Sequence, residues 1–139
     1  MISERHKVTE EVGVTPPELV ERLKEFFAEQ AGVRMAFLFG SWARHRPRPD
    51  SDLDVAVLLE PDAANVTSLW GELERLTDRD VDLVLLNDAS PLLAWEALRG
   101  KPLLIRDRGE FLQYVLRASD EAEDFREFVL SLWHERTKR

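Results

Sequence analysis

One short stretch of the chain concentrates side chains that could carry out phosphate chemistry. Gly40 and Ser41 follow an apolar run, and Asp52 and Asp54 come ten residues later at the start of another. Because side chains alternate along a strand, two carboxylates two residues apart point to the same face. The two negatively charged carboxylates repel each other unless cations lie between their oxygens. The spacing predicts a cation site, and Mg²⁺ is favoured because it binds carboxylates together with substrate phosphates.

The residues that precede these acids could hold the phosphates. Gly40 permits close approach of the backbone, and a short helix predicted over 42–45 would present free N–H groups to an anion. Ser41 adds a hydroxyl donor. Arg44 and two further arginines in the following loop add positive charge, and the forked donors of arginine suit phosphate oxygens. The stretch is therefore interpreted as a phosphate-binding turn beside a cation site.

A third carboxylate comes from the next strand that the sequence predicts. If this strand pairs beside the second one, Asp82 lies next to Asp52 and Asp54. Three clustered carboxylates can hold two Mg²⁺ ions, the arrangement that supports displacement at phosphorus. Asp80, two residues earlier, is an alternative for the same role.

Alternating strands and helices must position these residues. The second and third strands are joined by one helix and should be parallel, whereas the short connection between the first and second favours an antiparallel pair. The pattern predicts an α/β (α+β) fold, a small mixed sheet flanked by helices with a C-terminal helical extension. The predicted elements are a helix capped by Thr15 and Pro16 and stopped at Gly32, strands over 33–39, 53–59, 80–86 and 103–105, helices over 66–76 and 91–100, and helical sequence from 107 onward.

The composition fits a single domain over residues 1–139, with 1–14 loosely ordered, a core over 15–106 and helices over 107–139. The chain has 139 residues, of which 44% are hydrophobic and 33% charged. No apolar run approaches the roughly 20 residues that span a bilayer, so no membrane partner is expected. The absence of cysteine favours the cytoplasm. The net charge of -8 argues against direct nucleic-acid binding.

The stretch over 39–55 carries a resemblance to a known family. Its Gly-Ser, ten residues, then Asp-x-Asp resembles the signature of the DNA polymerase beta-like nucleotidyltransferase superfamily. Gly-Ser-Trp-Ala-Arg through Ser-Asp-Leu-Asp is similar to its minimal nucleotidyltransferase (MNT) branch. Many members of that branch are antitoxins encoded beside a HEPN-domain ribonuclease toxin. With Asp82, the resemblance includes all three acids of the superfamily pattern.

The resemblance implies a nucleotidyltransferase fold and a specific reaction. AMP from ATP would be transferred to a tyrosine of the HEPN toxin, which is thereby neutralised, and pyrophosphate would leave. Asp52 and Asp54 would bind both Mg²⁺ ions, and Asp82 would bind the catalytic ion and help to deprotonate the attacking hydroxyl. The residues implied to bind the nucleotide are Gly40, Ser41, Arg44 and Ser51.

Several alternatives stay open at the level of sequence. The chain could neutralise its partner by occlusion, without catalysis, or it could modify a small molecule or an RNA. The residues over 118–120 could divide the C-terminal helical region into two helices. Trp70 lies on a helical stripe that indicates core or interface packing, and Tyr114 is interpreted as a packed helix residue. The acidic residues over 120–127 are interpreted as a solvated helix face, with a docking surface for a basic partner as the alternative.

Overall fold

The computed structural model describes residues 16–40, 52–62 and 65–137. None of their helices is both long enough and apolar enough to cross a membrane. These ranges contain four strands and four helices. In chain order they are α1 (Pro16–Ala28), β1 (Val33–Phe39), β2 (Leu53–Leu59), α2 (Val66–Thr77), β3 (Val81–Leu85), α3 (Pro91–Leu98), β4 (Lys101–Ile105) and α4 (Arg108–Thr137).

The strands form one mixed sheet in the order β3-β2-β1-β4. β2 and β3 are parallel and β1 is antiparallel to β2, as the connection lengths predict. β1 is also antiparallel to β4. This topology brings the last residue of β1 to the same end of the sheet as the first residues of the other three strands. We call it the glycine end, because β1 leads there directly into Gly40.

Each face of the sheet is covered by its own pair of helices. α1 and α2 pack on one face through buried leucines and Phe27, and α3 and α4 pack on the other face through buried alanines. Side chains alternate between these faces along β1 and β2, so almost every strand residue is buried on one side or the other. The two cores explain why β1 and β2 are nearly continuous apolar runs.

The first helix ends earlier than the sequence indicates. α1 stops at Ala28, so the prediction that Gly32 stops it is wrong. The guanidinium of Arg106 donates to the carbonyl oxygens of Phe27, Ala28 and Gln30 at 3.3, 3.4 and 2.8 Å. These bonds satisfy carbonyls that a continuing helix would have used. The cap that the sequence predicts at Thr15 lies outside the described residues.

The later elements mostly confirm the predicted order and correct some of its limits. α3 begins as expected, because the Ser90 hydroxyl accepts from the backbone N–H of Leu93 at 3.3 Å. It ends at Leu98, two residues before Gly100, and β4 begins at Lys101 rather than at residue 103. The C-terminal region is one helix that continues through 118–120, which settles the alternative that the sequence left open.

Candidate active site

Two of the three acids lie side by side at the glycine end. Asp54 in β2 is the register partner of Asp82 in the parallel strand β3, and it is also the partner of Phe39 in β1. Register partners point to the same face, and Phe39 packs with the core beneath α3 and α4. Both carboxyl groups therefore lie on that face. Asp52 directly precedes β2 and is exposed.

The Asp54 carboxyl is in an environment that disfavours its charge. Burial is the largest cause that raises its pKa, followed by the negative charges of Asp82 and Asp52 and by a side-chain hydrogen bond with Asp82. As register partners on adjacent strands, the two side chains are close enough for the charge of Asp82 to raise the Asp54 pKa. A cation placed between them would relieve both the repulsion and the loss of hydration.

Gly40, which directly follows the neighbouring strand β1, lies against the Asp54 carboxyl group. Its φ of +77° lies in the left-handed region that favours glycine. A Cβ atom built at this position would overlap the Asp54 Oδ2 atom and would lie 3.0 Å from Asp54 Cγ. Any side chain at position 40 would therefore compete with the Asp54 carboxylate for the same space.

The acids offer the oxygen ligands that Mg²⁺ prefers. Among the residues that the structure describes, no group of three or more His, Cys, Asp or Glu side chains is arranged as a complete metal centre. Mg²⁺ is commonly held by only one or two carboxylates, with water and substrate phosphates as its other ligands. The pairing of Asp54 with Asp82, with Asp52 close enough to affect the Asp54 pKa, fits that mode of binding.

The remaining candidates differ in how far the structure describes them. Ser41, Arg44 and Ser51, together with the short helix predicted over 42–45, lie outside the described residues. Asp80, the alternative third acid, is exposed and immediately precedes β3, where its backbone carbonyl accepts from the N–H of Leu53 at 3.0 Å.

Two side chains of α2 hold the backbone of β3 at this end of the sheet, and the sequence indicates no role for them there. The indole Nε1 of Trp70 donates to the carbonyl of Val81 at 2.7 Å, and the N–H of Val81 donates to Glu74 Oε2 at 3.0 Å. Val81 directly precedes Asp82. The spacing of Trp70 and Glu74, four residues apart on a helix, places them on one face, but nothing in the sequence indicates which strand they meet.

The mixed sheet and the paired acids beside a glycine turn define the class: this is a nucleotidyltransferase domain. Residues 21–109 match the family model for Polymerase beta, Nucleotidyltransferase, and the chain belongs to that family.

Relatives and solved structures extend the comparison. The chain is 35% identical over 74 residues to the protein adenylyltransferase MntA of Shewanella oneidensis, a match that covers 51% of this chain. It spans about half (53%) of that curated relative's length. A crystal structure of a toxin-antitoxin with AMP-PNP matches with a TM-score of 0.67 at 21% identity, over 84% of this chain and 96% of that chain. A structure of a tri-AMPylated Shewanella oneidensis HEPN toxin in complex with MNT antitoxin matches with a TM-score of 0.60 at 20% identity, over 81% and 94% of the two chains.

Proposed function

We propose that this protein is a Mg²⁺-dependent adenylyltransferase that transfers AMP from ATP to a tyrosine of a HEPN-domain toxin and thereby neutralises it. The observation that carries the proposal is the register pairing of Asp54 with Asp82 on adjacent strands, beside Gly40, in a chain of the nucleotidyltransferase family. The named activity of the Shewanella relative and the AMPylated toxin of the similar complex support the choice of reaction and partner.

In this proposal the three acids act together on the phosphates. Asp52 and Asp54 would hold the Mg²⁺ ions, which when bound would supply charge neutralisation around the phosphorus. Asp82 would help to hold the catalytic ion and would help to deprotonate the tyrosine hydroxyl. The tyrosine oxygen forms a bond to the α-phosphorus, the bond from that phosphorus to the bridging oxygen breaks, and pyrophosphate leaves. The products are an adenylylated tyrosine and pyrophosphate.

The turn after β1 supplies the nucleotide contacts in this proposal. Gly40 lets the backbone approach the phosphates, and Ser41, Arg44 and Ser51 donate hydrogen bonds to them. These interactions position the triphosphate over Asp54 without covalent chemistry by the protein, which is the main requirement of phosphoryl and nucleotidyl transfer. The absence of cysteine from the sequence fits a reaction in the reducing cytoplasm.

Occlusion of the toxin without catalysis is the alternative that an experiment must separate. We suggest co-expressing the HEPN toxin with wild-type protein, with Asp54→Asn, and with Asp62→Asn as a matched control. Asp62 is an exposed acid that follows β2 at the opposite end of the sheet. Asp54→Asn should lose protection of cell growth, because removal of a charge-stabilising group at a reacting centre costs roughly 10²-fold or more in rate.

The binding of the toxin must be measured in the same cells. We expect Asp54→Asn to co-purify with the toxin while growth stays arrested, and Asp62→Asn to behave as wild type. Full protection by Asp54→Asn, with the complex intact, would contradict catalysis and support occlusion.

A further inference from the structure

The first residue of β3 is held from outside the sheet by two side chains of α2. β3 is an edge strand, and its inner neighbour β2 bonds to it through the Leu53 N–H and the Asp80 carbonyl. Val81 therefore turns its own N–H and carbonyl away from β2, where a further strand would pair. Glu74 and Trp70 occupy that place, accepting from the N–H at 3.0 Å and donating to the carbonyl at 2.7 Å. We call Trp70 and Glu74 the edge clamp.

The edge clamp lies one peptide bond from a proposed metal ligand. The Val81 carbonyl belongs to the peptide unit that continues into Asp82, so the two clamp bonds fix the backbone from which the Asp82 side chain projects. Val81 packs into the core beneath α1 and α2, whereas Asp82 and its register partner Asp54 point to the opposite face. The clamp side chains approach from the α2 side and act on the site only through the Val81 backbone.

We propose that Trp70 and Glu74 are positioning residues that hold Asp82 in register beside Asp54 for metal and nucleotide binding. This inference rests on the proposed function. The physical reason is that the first residue of an edge strand has hydrogen bonds from only one neighbour and frays easily. Asp54 and Asp82 are register partners on the same face, and two neighbouring carboxylates repel each other, which favours separation of β3 from β2 at this end. The clamp opposes that separation.

A purely structural role, protection of an exposed strand edge, is the competing explanation, and the chain provides a matched control for it. At the other end of the sheet, the Asn87 side chain makes the same pair of bonds to Leu59. Its Nδ2 donates to the Leu59 carbonyl at 2.8 Å, and its Oδ1 accepts from the Leu59 N–H at 3.0 Å. These bonds lie on the side of β2 that faces β3, so Asn87→Ala removes a two-bond side-chain clamp from the same strand pair at a place remote from the acids.

The test measures binding of Mn²⁺, a spectroscopic substitute for Mg²⁺, in the presence of AMP-PNP by electron paramagnetic resonance. Groups that orient metal ligands typically contribute about 10- to 100-fold to metal affinity. We expect the double variant Trp70→Phe with Glu74→Ala to lose roughly 10-fold or more, and Asn87→Ala to stay within about twofold. Glu74→Gln keeps an acceptor oxygen for the Val81 N–H and should bind Mn²⁺ like wild type. Trp70 is 39% exposed, so phenylalanine removes the N–H donor at little cost in packing.

A combined variant shows whether the effect passes through Asp82. In an Asp82→Asn background the clamp substitutions should cause no further loss of Mn²⁺ affinity, because coupled residues are not additive. Full additivity would overturn the inference. Hydrogen exchange gives a readout without metal: the Val81 amide should exchange faster in Glu74→Ala than in wild type or in Asn87→Ala.

The outcomes separate this inference from the proposed function. Wild-type protein that binds no Mn²⁺ with AMP-PNP would overturn the proposed function and the inference together. Wild-type binding that the clamp variants retain in full would overturn only the inference and leave the clamp as edge protection. An unchanged exchange rate at Val81 in Glu74→Ala would likewise overturn it.

Discussion

At Asp54, burial and the neighbouring carboxylates raise the pKa of the side chain above its ordinary value of 3.8. The folded protein therefore holds the proton more tightly than the unfolded chain does. The free energy of unfolding consequently falls as pH rises from 3.8 through the folded-state pKa, and it stays reduced above that pKa. The charged Asp54 side chain therefore lowers the free energy of unfolding at neutral pH, a trade-off that is common at functional sites.

Asp54→Asn should remove the destabilising effect of the Asp54 negative charge. We expect the variant to have a higher Tm than wild type at neutral pH, and the difference to shrink as pH falls toward 3.8, where wild-type Asp54 is protonated. Thermal unfolding followed by circular dichroism over this pH range would measure it. A Tm of Asp54→Asn below that of wild type at neutral pH would show that the carboxylate stabilises the fold instead.

Gly40→Ala should displace the Asp54 carboxyl group. The left-handed backbone at this position costs an L-residue roughly 1–2 kcal/mol. The added methyl group would also displace the Asp54 carboxylate, so we expect a loss of stability of about that size in urea unfolding, with loss of adenylyl transfer.

Gly71→Ala in α2 is the matched control for this substitution. A Cβ atom there meets only the Arg75 Nη1 atom at 3.7 Å, and alanine should stabilise the helix by roughly 0.5–1 kcal/mol. Equal effects of the two substitutions on transfer would contradict the role assigned to Gly40.

At the scale of elements, Arg106 joins the end of α1 to the end of β4. Its guanidinium donates to four backbone carbonyls, those of Phe27, Ala28, Gln30 and Val33. Arg106→Ala removes all four of these bonds, although the carbonyls of Phe27 and Gln30 keep the backbone N–H groups of Gln30 and Val33 as donors. The free energy of unfolding should fall by about 1–3 kcal/mol.

Lys24→Ala provides the comparison for Arg106→Ala in urea unfolding. Its exposed ion pair with Glu21, 3.7 Å long, should contribute no more than about 1 kcal/mol. An Arg106→Ala loss no larger than that of Lys24→Ala would mean that solvent replaces the guanidinium without cost.

The elements also show which features the sequence could predict. Connection lengths were sufficient for the antiparallel direction of β1 and β2 and the parallel direction of β2 and β3. They left open whether β3 lies next to β2, so Asp82 was placed beside Asp54 only on that condition, with Asp80 as the alternative. The end of α1 was not predictable, because the residue that terminates it is 78 positions away from Ala28 in the chain. The edge clamp was missed for the same reason: periodicity predicts a helix face but not the strand atoms that the face contacts.

At the scale of the whole molecule, the sheet topology gathers the proposed site. The end of β1 and the starts of β2 and β3 meet at the glycine end, which brings Gly40, Asp54 and Asp82 together. Asn87 and Asp62 lie at the opposite end of the sheet. Asp62→Asn is therefore a control for Asp54→Asn, and Asn87→Ala is a control for the substitutions of the edge clamp.

The mass of the HEPN toxin after the reaction distinguishes adenylyl transfer from occlusion. We would incubate the purified protein with its HEPN toxin, ATP and Mg²⁺, and weigh the toxin by intact-mass spectrometry. We expect a gain of one or more AMP units that disappears with Asp54→Asn and persists with Asp62→Asn. A toxin of unchanged mass that still co-elutes with the wild-type protein would contradict adenylyl transfer and leave occlusion as the function.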